Sequence, residues 1–577
     1  MQMTGAQVVC EALLREGVEV MFGHPGGAAL PFYDALYHYP QIRHVLMRHE
    51  QAAAHAAEGY ARATGRIGVC VATSGPGATN LMTGLAAAKM DSTPMLAITG
   101  QVARPFLGTE AFQECDTVTM AGPVVKKAFI IMDTKDIPQI VAEACRLALS
   151  GRPGPVLIDF PKDAQAEMMD YTPSAVAASP RNSVSHQIEG DVGAASRLLN
   201  EAQRPVIIAG HGVHLAAAWD ELKALAEGAN VPVINTLHGT GAFPRHHPLS
   251  LGMVGMHGMY WSNIAVDEAD LVVGIGMRFD DRVIGRPGSF APNAKIVHIE
   301  IDPSQVNKNV KTDVPLLGNA KDVLQALIPL VERQHRLEWF ARVAELQHKH
   351  PSLEVPESGA LMPQYVLSRI NRLIQASDDP IVVTGVGQHQ MWSGQYFFLD
   401  NPNSFISSGG LGVMGFEVPA AIGAQVGRPN ADVWSICGDG GFQMTLQELA
   451  TVVQEHLPIK YVIINNGYLG MVRQWQELFY EHRYKSVPIS SPDFVKLADA
   501  YGIPAATVTT ALDVDTALTK AASSKGPYLL NFLVSQEENV YPMVAPGASL
   551  ADTIEDPRVA HRRQVMHLAH EGTVSYP

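Results

Sequence analysis

The sequence is short of cysteine, of clustered basic charge and of long apolar runs, and each shortage removes a class of protein. Five cysteines stand in 577 residues, Cys10, Cys70, Cys115, Cys145 and Cys437, an odd number with no Cys-x-x-Cys spacing. Most lie in apolar or helical stretches, so they read as reduced packing residues of a reducing compartment, not as a disulfide framework. Lysine and arginine total 42 against 57 acidic residues, and the formal net charge is -15 with no long basic run. A nucleic-acid partner is not expected, because phosphate neutralisation needs clustered cations. Nor is a membrane span, since no apolar run reaches the roughly 18 residues that one requires. The opening MQMTGAQVVCEALLREG is broken by Glu11, Arg15 and Glu16 and reads as an amphipathic helix, not a signal peptide. With no organellar presequence either, the sequence fits a bacterial or archaeal cytoplasmic protein or a trimmed mature chain, and the expected location is cytoplasmic.

What the chain does have is glycine and buried-strand sequence. It carries 50 Gly with 47% hydrophobic and 17% charged residues, a mixture typical of α/β enzymes whose parallel strands are covered on both faces. Length alone, at roughly 150 residues per domain, gives three or four domains, and the punctuation favours three. Residues 1-165 alternate helical patterns with the strand-like runs Gly68 to Thr73, Pro94 to Thr99 and Pro155 to Phe160. A stretch rich in Ser, Pro and Ala follows, from Ala166 to Gly190, and reads as a linker. The runs Pro205 to Ala209, Val231 to Asn235, Leu271 to Ile275 and Lys295 to Ile301 build a second unit at 190-345, closing in charged helices near Glu332 to Gln347. After a break at His350 to Pro363, a third unit spans 363-540, and the tail 541-577 is expected to be irregular, a candidate lid. The fold class expected is α/β, with three doubly wound parallel-sheet domains.

The chemistry concentrates at two strand ends in the third unit. Asp432 to Cys437 (DVWSIC) reads as a buried strand running into Gly438-Asp439-Gly440-Gly441, where backbone amides can meet phosphate oxygens with no Cβ in the way. Ile459 to Ile464 reads as a second strand and delivers Asn465-Asn466. With a helical stretch at Gln443 to Glu455 between them, the two form a βαβ unit whose carboxyl ends fall at one sheet edge. The Asp439 carboxylate, the Asn466 amide oxygen and the Tyr468 backbone carbonyl are hard oxygens of the kind Mg²⁺ accepts while keeping a diphosphate in its shell. Gly-Asp-Gly alone is a common βα turn; the coupled pair is what points to a magnesium-held diphosphate.

These residues are similar to the diphosphate signature of thiamine-diphosphate enzymes, and segments along nearly the whole chain resemble one family of them, the acetohydroxyacid (acetolactate) synthase catalytic subunits. The segments are Gly23 to Gly27, Arg48-His49-Glu50, Thr73 to Gly77, Ala111 to Glu114, Gly151 to Pro155, Pro161 to Asp163, Leu251 to Gly258, Arg278 to Arg282, Gly387 to Trp392 and Asn465 to Trp475. The resemblance implies that pyruvate loses CO₂ and its two-carbon remainder is added to a second pyruvate or to 2-oxobutyrate, in branched-chain amino acid biosynthesis. It implies thiamine diphosphate and Mg²⁺ as cofactors, with Gly387, Gln388, His389, Gly412, Gly470 and Met471 beside the diphosphate anchors. Glu50 matches the acid that the aminopyrimidine ring needs for proton exchange. Outside that motif, a Glu at a helix start is a capping residue. Met414 matches the apolar wedge that holds the cofactor bent, where a lone Met would be core filler.

The same resemblance assigns substrate roles. Arg282 matches the cation that meets the acceptor carboxylate, a task suited to bidentate guanidinium geometry. Met256 and Trp475 match residues that shape the acceptor pocket, and Phe112, Gln113 and Lys162 match others lining its approach. Gln113 and Lys162 join Glu50 and Arg282 as candidate catalytic residues. The middle unit resembles a structural FAD site, with Arg152, Gly210, Gly212, His257, Arg278, Glu300 and Asn319 at matching positions. Gly210-His211-Gly212 lacks the third glycine of a dinucleotide fingerprint and fits a plain βα turn equally well. The partners implied are a second copy of the chain, as a homodimer or dimer of dimers sharing the cofactor, and a separate regulatory subunit. Val413 and Glu417 depart from the pattern, standing where many relatives carry Thr and a small residue. The alternative is another thiamine-diphosphate enzyme of 2-oxo acids, such as a pyruvate oxidase, a decarboxylase or a flavin-independent acetolactate synthase. Arg278 to Arg282 and Trp475 argue against it.

Overall fold

The computed structural model describes residues 1–172, 187–355 and 359–558. Runs of Val, Ile and Leu become strands here because helices cover both sheet faces, leaving no face on which a polar alternation is needed. Gly68–Ala72, Met95–Gln101, Pro155–Pro161, Pro205–Ala209, Leu271–Ile275, Pro380–Thr384 and Lys460–Asn465 are buried at every position. The strands form three six-stranded parallel sheets. From edge to edge the first runs Arg43–Leu46, Val20–Gly23, Gly68–Ala72, Met95–Gln101, Pro155–Pro161 and Lys127–Ile130. The middle sheet runs Ser250–Met253, Val233–Asn235, Pro205–Ala209, Leu271–Ile275, Lys295–Glu300 and Val314–Leu317. The third runs Phe405–Ser407, Pro380–Thr384, Asp432–Gly438, Lys460–Asn465, Tyr528–Leu533 and Ala505–Val508. Each begins inside the sheet and winds outward both ways, the doubly wound α/β pattern.

Three local expectations change. The linker begins with a strand, Met168–Asp170, which pairs antiparallel with Gln2–Thr4, while its part at 173–186 lies outside the described residues. The helical stretch after the Gly-Asp-Gly turn is divided into helix Asp439–Thr445, a 3₁₀ turn Leu446–Glu448 and helix Leu449–Gln454. The charged helices near Glu332 to Gln347 are one helix, Leu337–Lys349. The tail is irregular from Tyr541 to Asp556 apart from the short turn Leu550–Asp552 and an isolated bridge between Met543 and Ile554, and 559–577 lie outside the described residues. Among the described residues no helix is long and apolar enough to cross a membrane.

The first and third sheets share a core. Helix Glu50–Thr64 lies against helix Glu417–Gly427, and Ala52, Ala53, Ala56, Ala57, Ala420, Ala421 and Ala424 are buried together there. Small residues let the two backbones approach closely: a Cβ on Gly59 would strike the Ala420 carbonyl, and one on Gly423 the Ala56 carbonyl. That crossing fixes where Glu50 sits relative to the third sheet.

Candidate active site

Parallel pairing of Asp432–Gly438 with Lys460–Asn465 sets Gly438 opposite Ile464, so Asp439 and Asn466 emerge side by side at the carboxyl edge. The backbone N–H of Gly467 donates to Asp439 Oδ2 at 3.2 Å, and the Ser491 hydroxyl donates to the same oxygen at 3.2 Å. Asn466 Oδ1 accepts the Tyr468 N–H at 3.1 Å, and its Nδ2 donates to Gln388 Oε1 at 3.1 Å. Gln388 Nε2 in turn donates to Gln474 Oε1 (3.0 Å) and to the Glu538 carbonyl (2.9 Å). A Cβ on Gly470 would displace Gln388 Oε1 from its place beside Asn466. Burial pushes the Asp439 carboxyl up to about 6. A cation at Asp439 would offset that penalty, so the residues fit a magnesium-held diphosphate. Among the described residues no cluster of three or more His, Cys, Asp or Glu could hold a metal ion. The ion would therefore depend on Asp439, Asn466, the Tyr468 carbonyl and oxygens of its ligand.

Around this turn the other expected residues are close. The His389 ring is buried, its Nε2 has no partner among the described residues, and burial lowers its pKa to about 3. A Cβ on Gly438 would sit 2.9 Å from His389 Nδ1, and Gly387 caps the His389 helix on its other side. Met414 stands between Gly412 (φ 77) and Gly415 (φ 80), with Cε 3.7 Å from where a Gly440 Cβ would lie. Met471 lies in the first turn of helix Gly470–Phe479.

Glu50 opens helix Glu50–Thr64 but does not cap it. The cap is His49, whose Nδ1 accepts the Gln51 N–H at 3.1 Å. The Glu50 carboxylate is buried and accepts Asn80 Nδ2–H at 2.9 Å, with Gly77 packed against it. Arg48 N–H donates to Glu448 Oε1 at 3.0 Å, which ties this segment to the third unit.

Arg282, Met256 and Trp475 come together although they are far apart in sequence. Arg282 Nη1 lies 3.5 Å from Met256 Sδ, and its guanidinium carbon lies 6.0 Å from the Trp475 ring centroid. The tail reaches this group, with Val544 N–H donating to the Met256 carbonyl at 2.7 Å. Phe112 and Gln113 lie on a turn and Lys162 on a short helix of the first unit, and among the described residues they make no hydrogen bond or ring contact with the Arg282 group. Phe112 is 89% exposed. Gln113 (φ 60) packs its backbone on Gly75, and Lys162 starts helix Lys162–Ala166.

Between the first and middle units a cavity of about 510 Å³ is lined by Arg62 and Gly151 on one side and by Gly212, Glu300 and Asn319 on the other. Glu300 accepts the N–H groups of Ile301 (2.9 Å) and Asp302 (3.1 Å), and burial pushes its carboxyl up to about 7. Arg152 lies beside it, donating to Ser92 Oγ at 2.8 Å and meeting Asp302 at 3.5 Å. Arg278 pairs with Asp280 at 3.7 Å. His257 is buried, with Nδ1 unpartnered among the described residues and its carbonyl accepting Gln395 Nε2–H at 2.9 Å. Gly210 and Gly212 press against Gly276, where a Cβ on either would clash. Their immediate role is thus the close packing of a βα turn. The cavity and its carboxylate are compatible with a dinucleotide such as FAD.

Sequence reasoning missed Asn80, Ser491, Gln474 and Gly467 as partners of the site. Ser491 lies 52 residues beyond Asp439 in an irregular segment, and no local pattern marks it. Asn80 had one signal: it closes the short helix Pro76–Asn80 that follows the Thr73 to Gly77 motif.

Three family models match the chain in order: thiamine pyrophosphate enzyme, N-terminal TPP binding domain, at 3–120; central domain at 192–327; and C-terminal TPP binding domain at 385–532. Sheets and strand-end turn together therefore define a thiamine pyrophosphate enzyme. The chain is 45% identical over 572 residues to an acetolactate synthase of Mycobacterium bovis, covering 95% of this chain and 91% of the relative. It is 45% identical to an acetolactate synthase large subunit of Corynebacterium glutamicum (96% and 90% covered) and to a probable one of Methanocaldococcus jannaschii (96% and 96%). The chain belongs to the acetolactate synthase large-subunit family, as an enzyme whose cofactor is thiamine diphosphate and whose substrates are 2-oxo acids.

Proposed function

We propose a division of labour for acetolactate synthesis in which Asp439, Asn466 and the Tyr468 carbonyl hold Mg²⁺ and the cofactor's diphosphate. Glu50 would hold the proton exchanged with the cofactor's aminopyrimidine ring, and Met414 would supply an apolar surface beneath the cofactor. Thiamine diphosphate supplies the nucleophilic carbon and the electron sink for loss of CO₂. Arg282 meets the carboxylate of the acceptor, pyruvate or 2-oxobutyrate, against Met256 and Trp475. Phe112, Gln113 and Lys162 close the approach from a second copy of the chain. Glu50 is held by Asn80 and the diphosphate anchors by Gly467, Ser491 and Gln388, with no hydrogen bond between the two sets among the described residues. The exposed apolar side chains of Phe112 and Met444 suit a homodimer interface. FAD would occupy the cavity between the first and middle units without redox work, a regulatory subunit binds the large one, and the enzyme acts in the cytoplasm.

The observation that carries this reading is the pairing of Asp439 and Asn466 at neighbouring strand ends. The test is product analysis after incubation with pyruvate, Mg²⁺ and thiamine diphosphate, with and without 2-oxobutyrate. Acetolactate, and acetohydroxybutyrate when both acids are present, is the expected result; release of acetaldehyde or acetate alone overturns it.

A further inference from the structure

Where the three units meet lies a buried polar knot, of which only Arg62 borders the cavity described above. Asp91, which follows helix Met82–Met90 of the first unit, accepts the backbone N–H of Gly410 at Oδ1 (2.6 Å) and that of Gly409 at Oδ2 (3.2 Å). His238, from the middle unit, brings Nε2 to 3.2 Å from Asp91 Oδ1. Arg62, from the Glu50 helix, lies 3.9 Å from Asp91 Oδ2 and donates to the Ser407 carbonyl at 3.0 Å. Its Nη2 lies 2.9 Å from His238 Nδ1; an arginine can only donate, so His238 Nδ1 accepts and Nε2 carries the proton, close to Asp91 but outside hydrogen-bond geometry. The side chains of Asp91 and Arg62 are 0% and 4% exposed. Burial pushes the Asp91 carboxyl up, but His238, Arg62 and the Gly410 N–H outweigh it and hold the group below its usual range. Neighbouring Glu58, pushed up to about 8 by burial, is the member of the pair that keeps its proton.

Gly409 and Gly410 begin the turn that presents Met414. Its other end is tied within the third unit: Val413 N–H donates to Ser408 Oγ at 3.1 Å, and Thr445 Oγ1–H donates to the Gly415 carbonyl at 2.8 Å. Leu411 and Gly412, between the two anchorages, are exposed. A two-glycine start has no side chain to fix its own path, so the carboxylate from another unit sets where the turn begins.

We propose that Asp91 is a positioning residue for the reaction: it clamps Gly409-Gly410 and thereby sets the height of Met414 under the cofactor. The proposal rests on the role given to Met414 above. Arg62 and His238 hold the clamp in register, so the first and middle units both set the geometry of a turn in the third.

The test is a double-mutant cycle on the full chain with thiamine diphosphate and Mg²⁺, read with amide hydrogen exchange of residues 405–416. Asp91→Ala should lower kcat tenfold to a hundredfold, with the KM for pyruvate and the cofactor Kd, from tryptophan fluorescence, each within about threefold. Exchange across 409–413 should accelerate even without cofactor. In a Met414→Ala background the same substitution should lower kcat less than about twofold, because the step it governs is already lost. Multiplying losses in the double variant, or an unchanged exchange pattern, overturns the proposal. If Asp91→Ala does not fold, His238→Gln removes one support while sparing the carboxylate; it should give the same exchange signature with a smaller loss of kcat, and wild-type behaviour there also counts against the clamp. A wild-type chain that makes no acetolactate removes the functional reading instead, while exchange at the turn still reports on Asp91.

Discussion

Glu50 and Glu417 show how differently two buried carboxyl groups of one helix pair are treated. Glu50 has an amide partner in Asn80, whereas neither carboxyl oxygen of Glu417 has a partner among the described residues. Glu417 is wedged between Gly385 and Gly441, and a Cβ on Gly441 would lie 2.5 Å from its Oε1. Burial pushes the Glu417 carboxyl from 4.5 up to about 7. The unfolded chain ionises this group first, so the native state is penalised increasingly from pH 4.5 to about 7 and by a constant amount above. Glu417→Gln should therefore stabilise the cofactor-free protein by up to about 3 kcal/mol at pH 8 and change little below pH 4.5. Urea melts at the two pH values decide it, and an equal shift at both would discard the burial account. At Glu50 the expected effect is on turnover. Glu50→Gln should keep the circular dichroism spectrum and magnesium binding while acetolactate formation falls about a hundredfold or more. Wild-type turnover in that variant would remove Glu50 from the mechanism.

At the scale of elements, the crossing of Glu50–Thr64 with Glu417–Gly427 bears most directly on function. It joins the helix that begins with the candidate acid to the helix that follows the Met414 turn. Because the backbones meet at Gly59 and Gly423, a single methyl there has nowhere to go. Gly423→Ala should cost about 1–3 kcal/mol by overpacking, seen as a lower denaturation midpoint. Displacing the Glu50 helix, it should also depress turnover beyond what the lost folded fraction explains. A variant with full stability and activity would show that this contact is loose. Helix Asp439–Thr445 and the 3₁₀ turn after it illustrate a related point. Glu448, in that turn, leaves its own unit to accept the Arg48 N–H at 3.0 Å, so the break in the helix serves contact between units.

For the whole molecule, the decisive question is which copy of the chain supplies each half of the site. If the cofactor lies between two protomers, Glu50→Gln and Asp439→Ala are complementary defects. Mixed dimers of the two variants then contain one site with both residues intact and one with neither, so a refolded equimolar mixture should recover about a quarter of wild-type activity. A site built within one chain would recover none. Restored activity together with sedimentation as a dimer would support the shared arrangement. Within the chain the three units are joined by the Asp91 knot, and the first and third also share the alanine-rich core.

The sequence by itself determined the strands, the doubly wound architecture and the adjacency of Asp439 and Asn466. Each of these is local: buried runs of β-branched residues favour strands, and parallel pairing carries consecutive strand ends to the same edge. It also marked Glu50, Met414 and Arg282 through their surrounding motifs. Only the tertiary structure decided that His49 takes the cap and frees Glu50, that Arg282 reaches Met256 and Trp475, and that Gly210 and Gly212 serve turn packing. Asp91 and Glu417 carry no local signal of their surroundings. Whether a buried carboxyl is clamped or left without a partner depends on groups brought in by other elements, and in the case of Asp91 those groups lie up to 319 positions away.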